Sequence, residues 1–453
     1  MKRGWIAVAL LAVLLECKLA LAQYLVPAQS VEQMPEPLPQ SPSYVPPDAA
    51  GPAGAIANQP PAPLSLPSDS PTAWEDIPPP PRVLNRFFFG ADYLRWWMKK
   101  DQHRDLLFTT NGITNPATNF GALGQSATVR EFGGDEFSTG HLNGVRVTLG
   151  YVPETFYPIE LSGFWVETGK TYARNSGGGG FPLVARSIFQ IQPPITPPEV
   201  VFVTSFPDFA AGGWAVDGNT NFYSAEFNFL PNLYNTLDTN ARTVDLQFGP
   251  RFVLMNESLD VLQFTGAISP QTLVNFGGNS FTQPHTIFAS DNFFTRNAFY
   301  GGQFGCRTSF SLWHVNVQLK GNIAVGYTEQ VVNISGRSTI VGPSITQTQF
   351  GGIQAVASNF GRVQREKITF IPEFAFNLEY PLFNSFRLYV GYHFLYWSSV
   401  VRPGEQFDRV VDVRQVPTDA AFQPNFVGSR PGNFFRRSSL WLHGLNLGAA
   451  FTF

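Results

Sequence analysis

The last fourteen residues of the chain, LWLHGLNLGAAFTF at 440–453, decide the fold. Side chains along a β-strand point alternately to its two faces. One face of this stretch carries large and mostly apolar side chains, namely Trp441, His443, Leu445, Leu447, Ala449, Phe451 and Phe453. The opposite face carries smaller and mixed side chains, namely Leu440, Leu442, Gly444, Asn446, Gly448, Ala450 and Thr452. A closed membrane barrel accounts for such an ending, because its last strand pairs with the first and its outer face contacts lipid.

The same residues resemble the aromatic signature that ends bacterial outer-membrane proteins and that their barrel-assembly machinery recognises. Leu447, Ala449, Phe451 and Phe453 would carry this assembly signal. The resemblance implies a location in the bacterial cell outer membrane, with its lipid and the assembly machinery as partners. A soluble sheet can also end on an apolar strand, so a secreted β-sandwich is the alternative fold.

The composition of the chain favours the barrel. Charged residues make up 14% of the 453 residues, against about 25% in typical soluble domains. Aromatic residues make up 15%, yet the mean hydropathy is only -0.05, which excludes a bundle of apolar membrane helices. Lipid outside and polar groups inside a barrel would produce this combination. The net charge of -3 gives no electrostatic reason to expect nucleic acid as a partner.

Residues 1–22 predict a secretory signal peptide. Lys2 and Arg3 form its positive start, and the apolar run that follows is too short to span a bilayer. Ala20 and Ala22 form the small-x-small cleavage site. The secreted chain would therefore begin at residue 23.

The two cysteines give no disulfide in the secreted protein. Cys17 invites a lipoprotein interpretation, but Glu16 lies where that processing needs a small residue. Signal cleavage would remove Cys17 and leave Cys306 alone, which excludes an intramolecular disulfide.

Residues 23–85 predict a proline-rich disordered linker. Seventeen of the 37 prolines lie between Pro27 and Pro81, and they are interspersed with Ala, Ser and Gln. A segment of this composition cannot bury a core and favours extended, polyproline-like conformations. It would act as a periplasmic tether, and a second interpretation has it contact the cell wall.

Residues 86–453 predict one closed, antiparallel, all-β transmembrane barrel of about ten strands. The predicted strands are 87–97, 141–151, 159–168, 222–230, 243–256, 298–310, 314–327, 370–380, 386–398 and 440–453. The connections are alternately short and long, which places short turns on the periplasmic side and long loops outside. Two further apolar segments, 261–264 and 331–334, would either add strands to give twelve or extend hairpins into the outer loops.

Five stretches of this region carry a family resemblance. They are GADYLRWW (90–97), LNGVRVTLGY (142–151), FGPRFVLMNESLDV (248–261), PEFAFNLEY (372–380) and YVGYHFLYWSSVVRPGEQFDRVVDVRQVP (389–417). The last is the most specific, and its core is Arg402, Pro403, Gly404 and Asp408. These stretches resemble the putative beta-barrel porin-7 family of planctomycetes. The resemblance implies an outer-membrane barrel but does not establish transport, because the word porin in the family name rests on the fold.

The faces assigned to the lumen carry balanced charges. The basic side chains are Arg146, Arg251, Lys320 and Arg387, and the acidic ones are Glu226, Asp245, Glu373 and Glu379. An excess of one sign would indicate ion selectivity, whereas a balance favours internal salt bridges. Eight strands enclose only their own side chains, and open channels appear near sixteen strands. We therefore predict a narrow porin for passive passage of small solutes, with a structural or surface-display barrel of occluded lumen as the alternative.

The motif around Arg402, Pro403, Gly404 and Asp408 predicts a rigid turn in an outer loop, since Pro-Gly pairs are common in turns. Its ion pairs would fold the loop back on the barrel rim, and the alternative role is recognition of polysaccharide or calcium. Aromatic clusters near strand ends predict girdles at the membrane interfaces. These clusters are Trp96-Trp97, Tyr380 and Tyr396-Trp397.

A barrel hydrolase is the one enzymatic alternative. It would need a nucleophile, a base and an orienting group, and Ser138, His141 and Asn143 lie close together in sequence. Spacing without geometry is a weak basis for a catalytic site. The remaining histidines lack metal-ligand spacing, and the chain has no phosphate loop or dinucleotide fingerprint. We therefore predict no enzyme, no cofactor and no metal.

Overall fold

Ten antiparallel strands close into a barrel in the computed structural model, as the sequence predicts. The strands are β1 (Arg86–Met98), β2 (His141–Val152), β3 (Ile159–Ser176), β4 (Ala210–Phe229), β5 (Arg242–Ala267), β6 (Thr286–Leu312), β7 (Val315–Gly342), β8 (Gly361–Phe383), β9 (Phe386–Val400) and β10 (Ser438–Thr452). Each strand pairs with its neighbours in sequence. The structure describes residues 86–103, 105–111, 121–125, 127–134, 136–137, 140–153, 156–176, 183–191, 199–236, 242–383 and 385–453.

The pairing of β1 with β10 closes the barrel. Its register runs from Phe88 opposite Thr452 to Met98 opposite Leu442. Beyond that register, the amide and carbonyl groups of Phe87 and Phe453 exchange hydrogen bonds of 2.8 and 2.9 Å. Closure leaves no open edge between the first and last strands, whose unpaired amides would be costly in lipid.

The two faces of the barrel wall differ in chemistry. Large apolar side chains point outward and stay exposed, and aromatic residues form a band near each end of the wall. At the end with the short turns the band includes Phe87, Tyr151, Phe229, Phe248 and Phe453. At the end with the long loops it includes Trp97, Trp165, Tyr223, Tyr300, Tyr327 and Trp441. Two such bands are typical of a wall that crosses a bilayer.

The barrel is taller on one side than on the other. β5, β6 and β7 contain 26, 27 and 28 residues, whereas β9 and β10 contain 15 each. A tilted strand needs only about 10 residues to cross a bilayer, so the long strands continue well beyond it. Segments 261–264 and 331–334 lie inside β5 and β7. They therefore extend hairpins, and the twelve-strand alternative is wrong.

The long loops fold into the taller end of the barrel. Strands Leu107–Asn111, Thr128–Gly133, Leu183–Gln190, Glu199–Ser205 and Val410–Val411 form a small sheet of their own. The remaining short elements are Asp101–Gln102, Glu136–Phe137, Asn232–Thr236, Val274–Phe276, Asn279–Phe281 and Ile345–Phe350, with 3-10 turns at Pro403–Gln406 and Val413–Gln415. Apolar side chains from this sheet pack against inward-facing barrel residues in one buried cluster. Within the described ranges, no helix is long and apolar enough to cross a membrane.

Three predictions lie outside the described residues. They are the signal peptide at 1–22, its cleavage at Ala20 and Ala22, and the linker at 23–85. These domain assignments stay predictions.

The β1–β10 seam can be tested by substituting Gly444. A side chain there would collide with the Arg95 carbonyl oxygen and the Trp96 ring on β1. We expect the unheated wild-type protein to migrate differently from the boiled protein in SDS gels. Gly444→Val should lose this heat-dependent shift, because the seam cannot close.

Leu445→Val is the matched control, since the adjacent Leu445 side chain points outward and is exposed. It should keep the heat-dependent shift. A Gly444→Val protein that shifts like the wild type would contradict the register of the seam.

Candidate functional site

The lumen of the barrel is filled by side chains arranged in layers. A polar, charged layer lies nearest the short turns, and an apolar layer follows it. A second buried polar layer then meets the inserted loops, which pack in a second apolar cluster. Whether solutes can pass through the barrel depends on how completely these layers fill the lumen.

All eight charges predicted for the lumen lie on the inward face of their strands. Glu226 accepts a hydrogen bond from Nζ of Lys320 at 2.8 Å, and its other oxygen lies 3.9 Å from Nη1 of Arg251. Arg251 also forms an ion pair with Glu373. Nearer the mouth, Nη1 of Arg387 lies 3.5 Å from Oε2 of Glu379. Asp245 accepts a hydrogen bond from Asn232 at 2.7 Å.

Further charged groups belong to this layer that the sequence analysis did not name as lumen charges. Nη2 of Arg307 donates to Glu160 at 2.7 Å, and Nε2 of His393 lies 2.8 Å from Oε1 of Glu373. Arg146 contacts the other ring nitrogen of His393 at 3.1 Å. Strand alternation places His393 on the same face of β9 as Arg387, although it was not counted among the lumen charges. Glu160 and Arg307 lie in strands whose alternation is irregular.

The apolar layer takes side chains from every one of the ten strands. Its members are Leu94, Trp96, Met98, Leu142, Phe164, Val166, Phe222, Val253, Met255, Phe299, Ala324, Ile371, Leu395, Trp397, Val400, Leu440 and Leu442. Trp96 packs edge-on against Phe164 with ring centroids 4.9 Å apart, and Trp397 packs similarly against Phe222 at 6.2 Å. Because all strands contribute, the layer extends across the whole lumen.

The two central tryptophans correct one prediction. Trp96 and Trp397 were expected in interface girdles, but both point inward and are fully buried. Their indole N–H groups donate to Asn446 at 3.0 Å and to Thr328 at 3.1 Å. Their neighbours Trp97 and Tyr396 do point outward.

Arg402 of the outer-loop motif lies inside the lumen. Its guanidinium donates two hydrogen bonds to Glu257 of β5, at 2.7 and 3.0 Å, and a third to the Lys99 carbonyl at 2.6 Å. Burial alone would lower the pKa of Arg402, but Glu257 and Asp101 raise it above its ordinary value. Arg402 therefore stays charged and holds the last loop in the barrel.

The other motif residues fix the backbone around Arg402. The Gly404 amide donates to Asp101 at 2.8 Å, and a side chain at Gly404 would collide with the His103 ring. Pro403 is buried beside it. Asp408 accepts from the Val410 amide at 3.0 Å with one oxygen and from Arg430 at 2.9 Å with the other. Both Asp408 oxygens thus have partners within the loop itself.

The residues considered for a hydrolase are not assembled into a site. His141 and Asn143 point outward, where they contact Arg95 at 3.1 Å and Tyr93 at 2.8 Å. Ser138 lies outside the described residues. No group of three His, Cys, Asp or Glu side chains suited to a metal occurs in the part of the chain that the structure describes.

Comparison with known proteins identifies a family. The profile of the family described as Putative beta barrel porin-7 matches residues 88–453. No curated protein matches the chain significantly. The match does not test a planctomycete origin, which stays a prediction.

Two solved structures show distant likenesses. The outer membrane protease OmpT from Escherichia coli is 10% identical, with 81% of this chain and 97% of that chain covered and a TM-score of 0.33. A FadL homologue from Pseudomonas aeruginosa is 8% identical, with 81% and 90% covered and a TM-score of 0.20. TM-scores this low carry no conclusion about this chain.

Removing Arg402 should destabilise the protein strongly. Arg402→Ala leaves the buried Glu257 carboxylate without its partner, which costs about 3–5 kcal/mol. The free energy of unfolding in guanidinium, in detergent, measures the loss. The double variant Arg402→Met with Glu257→Met should recover most of it, because neither charge then stays buried alone.

Arg296→Ala is the matched control, because its pair with Glu329 is partly exposed and 3.9 Å long. Its loss should cost about 0–1 kcal/mol. Equal effects of Arg296→Ala and Arg402→Ala would contradict the anchoring role of Arg402.

Acid should loosen the loop around Gly404. Burial lowers the pKa of His103 below its ordinary value of 6.5, Asp101 opposes this shift, and Arg402 adds to it. The neutral ring's contribution to stability is therefore complete above pH 6.5 and is lost as the pH falls toward the lower folded-state pKa. Hydrogen-exchange protection of the amides at 401–407 should fall by up to about tenfold per pH unit in that window.

His103→Gln should reduce this pH dependence, because a neutral side chain replaces the titrating ring. His443→Gln is the control, since His443 lies on the outward face of β10. An unchanged pH profile in His103→Gln would assign the effect to another group.

Proposed function

We propose that this chain, which belongs to the Putative beta barrel porin-7 family, is an outer-membrane barrel with a closed lumen that holds a folded assembly of loops at the cell surface. One observation carries the proposal. The apolar layer takes side chains from all ten strands, and both of its tryptophans are fully buried. Water and ions cross such a packed, apolar layer poorly.

The outward face of the barrel supports the membrane location. It carries exposed apolar side chains between two aromatic bands, as lipid-facing barrel walls do. The C-terminal residues Leu447, Ala449, Phe451 and Phe453 would serve as the signal for the barrel-assembly machinery. The linker at 23–85 would then lie in the periplasm, where it could reach the cell wall.

The loops are fixed to the barrel by buried polar contacts, which supports a display role. Nη1 of Arg186, in the loop sheet, lies 2.6 Å from Oδ2 of Asp291 on β6. The other oxygen of Asp291 accepts hydrogen bonds of 2.9, 3.1 and 2.8 Å from the amides of Ile353, Gln354 and Ala355. One barrel carboxylate therefore holds two different loops against the wall.

Passive passage of small solutes is the second candidate. The polar layer near the short turns favours it, because Arg307, Lys320 and Arg387 remain partly exposed there. A solute could enter from that end and reach the apolar layer. Transport would further require both the apolar layer and the loop around Arg402 to move.

Single-channel recording in planar bilayers separates the two candidates. The wild-type protein should give no conductance steps above the bare bilayer. A shortened chain, in which 402–436 is replaced by a short Gly-Ser turn and the then unpaired Glu257 by Met, should conduct once it also carries Trp96→Ala and Trp397→Ala, because the last loop and the two largest side chains of the apolar layer are removed.

The control is the same shortened chain with Trp97→Ala and Trp441→Ala, which removes two outward tryptophans instead. It should stay closed. The heat-dependent gel shift verifies that each protein has folded. Steady ion current through the wild-type protein would refute the closed lumen and favour solute passage.

A further inference from the structure

The outward face of the barrel wall carries different charges on its short and its tall sides. The four neighbouring strands β9, β10, β1 and β2 are short, with 15, 15, 13 and 12 residues. Their sequences contain a single acidic residue, Asp92, whose side chain is buried and points inward. Near the long-loop end their outward face carries Arg95, His141 and His443. Five of the other strands carry an outward acid instead, namely Glu167, Asp217, Asp260, Glu329 and Glu366.

Arg95 of β1 and His141 of β2 form an exposed pair of basic side chains on the short side. Nη2 of Arg95 lies 3.1 Å from Nε2 of His141. Because an arginine can only donate, Nε2 accepts and the proton of the neutral imidazole lies on Nδ1. Among the described residues, neither side chain has a further hydrogen bond or a carboxylate within ion-pair distance. An outward arginine at the edge of a bilayer therefore lacks a counter-anion from the protein itself.

This basic pair lies at the level of the outer aromatic band. His141 is directly opposite Trp97 of β1, and Trp97 is opposite His443 of β10, with the two rings stacked 5.7 Å apart. Lys99 is the next outward residue of β1 beyond Trp97 and brings a second positive charge. Aromatic bands of membrane proteins lie at the depth of the lipid headgroups. Arg95, His141 and Lys99 therefore lie where the phosphates of lipids are found.

The wall nearer the membrane centre offers an apolar surface to acyl chains. Leu445 of β10, which is directly opposite Arg95, and Val145 of β2 are both 51% exposed. Leu447 and Val147 continue this surface toward the short turns and are 60% and 42% exposed. A free anion would contact only the basic pair, whereas a lipid would also cover these apolar side chains and gain hydrophobic binding energy.

We propose that the outward face of β10, β1 and β2 binds one membrane lipid that has a phosphate headgroup, an inference that rests on the outer-membrane location in the proposed function. The phosphate oxygens accept hydrogen bonds from the Arg95 guanidinium and from Nδ1 of His141, and Lys99 adds to the attraction. The acyl chains lie over Leu445 and Val145. Because the bound lipid extends across the β1–β10 seam, it holds the first and last strands together.

The test compares two lipids that differ only in the phosphate. Dioleoyl phosphatidic acid has this group, whereas dioleoylglycerol has the same acyl chains and glycerol without it. Native mass spectrometry of the full chain, released from dodecyl maltoside micelles, counts the bound lipids and measures both affinities. We expect one tightly bound molecule of phosphatidic acid, held about tenfold more tightly than dioleoylglycerol.

Arg95→Gln keeps a polar side chain and removes the charge. The preference for phosphatidic acid should fall to about twofold or less, while the affinity for dioleoylglycerol stays the same because the apolar wall is intact. Lys99→Gln should lower the preference by a smaller factor, about threefold, since Lys99 acts mainly through its charge. Arg296→Gln is the matched control and should bind like the wild type, because this outward arginine of β6 lies beside Glu329.

Inorganic phosphate separates a lipid site from a simple anion site. Phosphatidic acid should raise the temperature at which the heat-dependent gel shift is half complete, because it stabilises the seam. Inorganic phosphate at the same concentration should leave this temperature unchanged, since it has no acyl chains to cover the apolar wall. An equal rise with inorganic phosphate would assign the site to a free anion and overturn the lipid proposal.

Two further results would overturn the proposal. One is equal affinity for the two lipids in a wild-type protein that shows the heat-dependent gel shift. The other is an unchanged preference in a folded Arg95→Gln protein or, if that variant does not fold, in Lys99→Gln. Neither result bears on the closed lumen, which bilayer recording tests separately. A wild-type chain without the gel shift would instead refute the barrel itself, and the lipid site with it.

Discussion

The closure of β1 onto β10 is the constraint on which the rest of the structure depends. It satisfies the backbone hydrogen bonds of the whole wall within the protein, which a bilayer demands of any segment that crosses it. It also fixes the strand number at ten, and therefore the width of the interior. An eight-stranded barrel has an interior that its own side chains fill. Ten strands enclose more space than that, but far less than the sixteen strands of a wide channel. The inserted loops and the large aromatic side chains occupy that additional space.

The interior combines two ways of filling space, and each depends on the other. In the charged layer Glu226 is shared by Lys320 and Arg251, and Arg251 also pairs with Glu373, so Glu226 and Arg251 each have two partners to offset their desolvation. The apolar layer excludes water from one side of these pairs, which strengthens them and makes any missing partner expensive. On the other side of the apolar layer, Arg402 and Glu257 form a similar buried ion pair between the last loop and the barrel wall. The lumen therefore resembles the interior of a soluble protein enclosed by a membrane wall.

The alternation of apolar and polar side chains predicted the strand order and the inward faces of β2, β4, β5 and β7 to β10. This alternation is regular where one face of a strand contacts an apolar environment and the other does not. The outer parts of β5, β6 and β7 carry mixed polar and apolar side chains on both faces, so alternation identified only 261–264 and 331–334 there, as extra strands or hairpin extensions. Trp96 and Trp397 were assigned to interface girdles because each lies near the end of its predicted strand. That position does not determine which face of the strand the side chain takes. The ion pair of Arg402 with Glu257 joins residues far apart in sequence, and no local pattern contains such a contact.

The unequal strand lengths give the molecule a front and a back. β5, β6 and β7 rise as a screen behind the loop assembly, while β9 and β10 end low and leave its opposite flank uncovered. In the proposed membrane location, a neighbour that diffuses in the plane of the membrane would meet the loops first from the low side. On the high side it meets bare strands. In the proposed membrane location, the barrel would therefore leave its loops open to lateral contacts mainly on the side of β9 and β10.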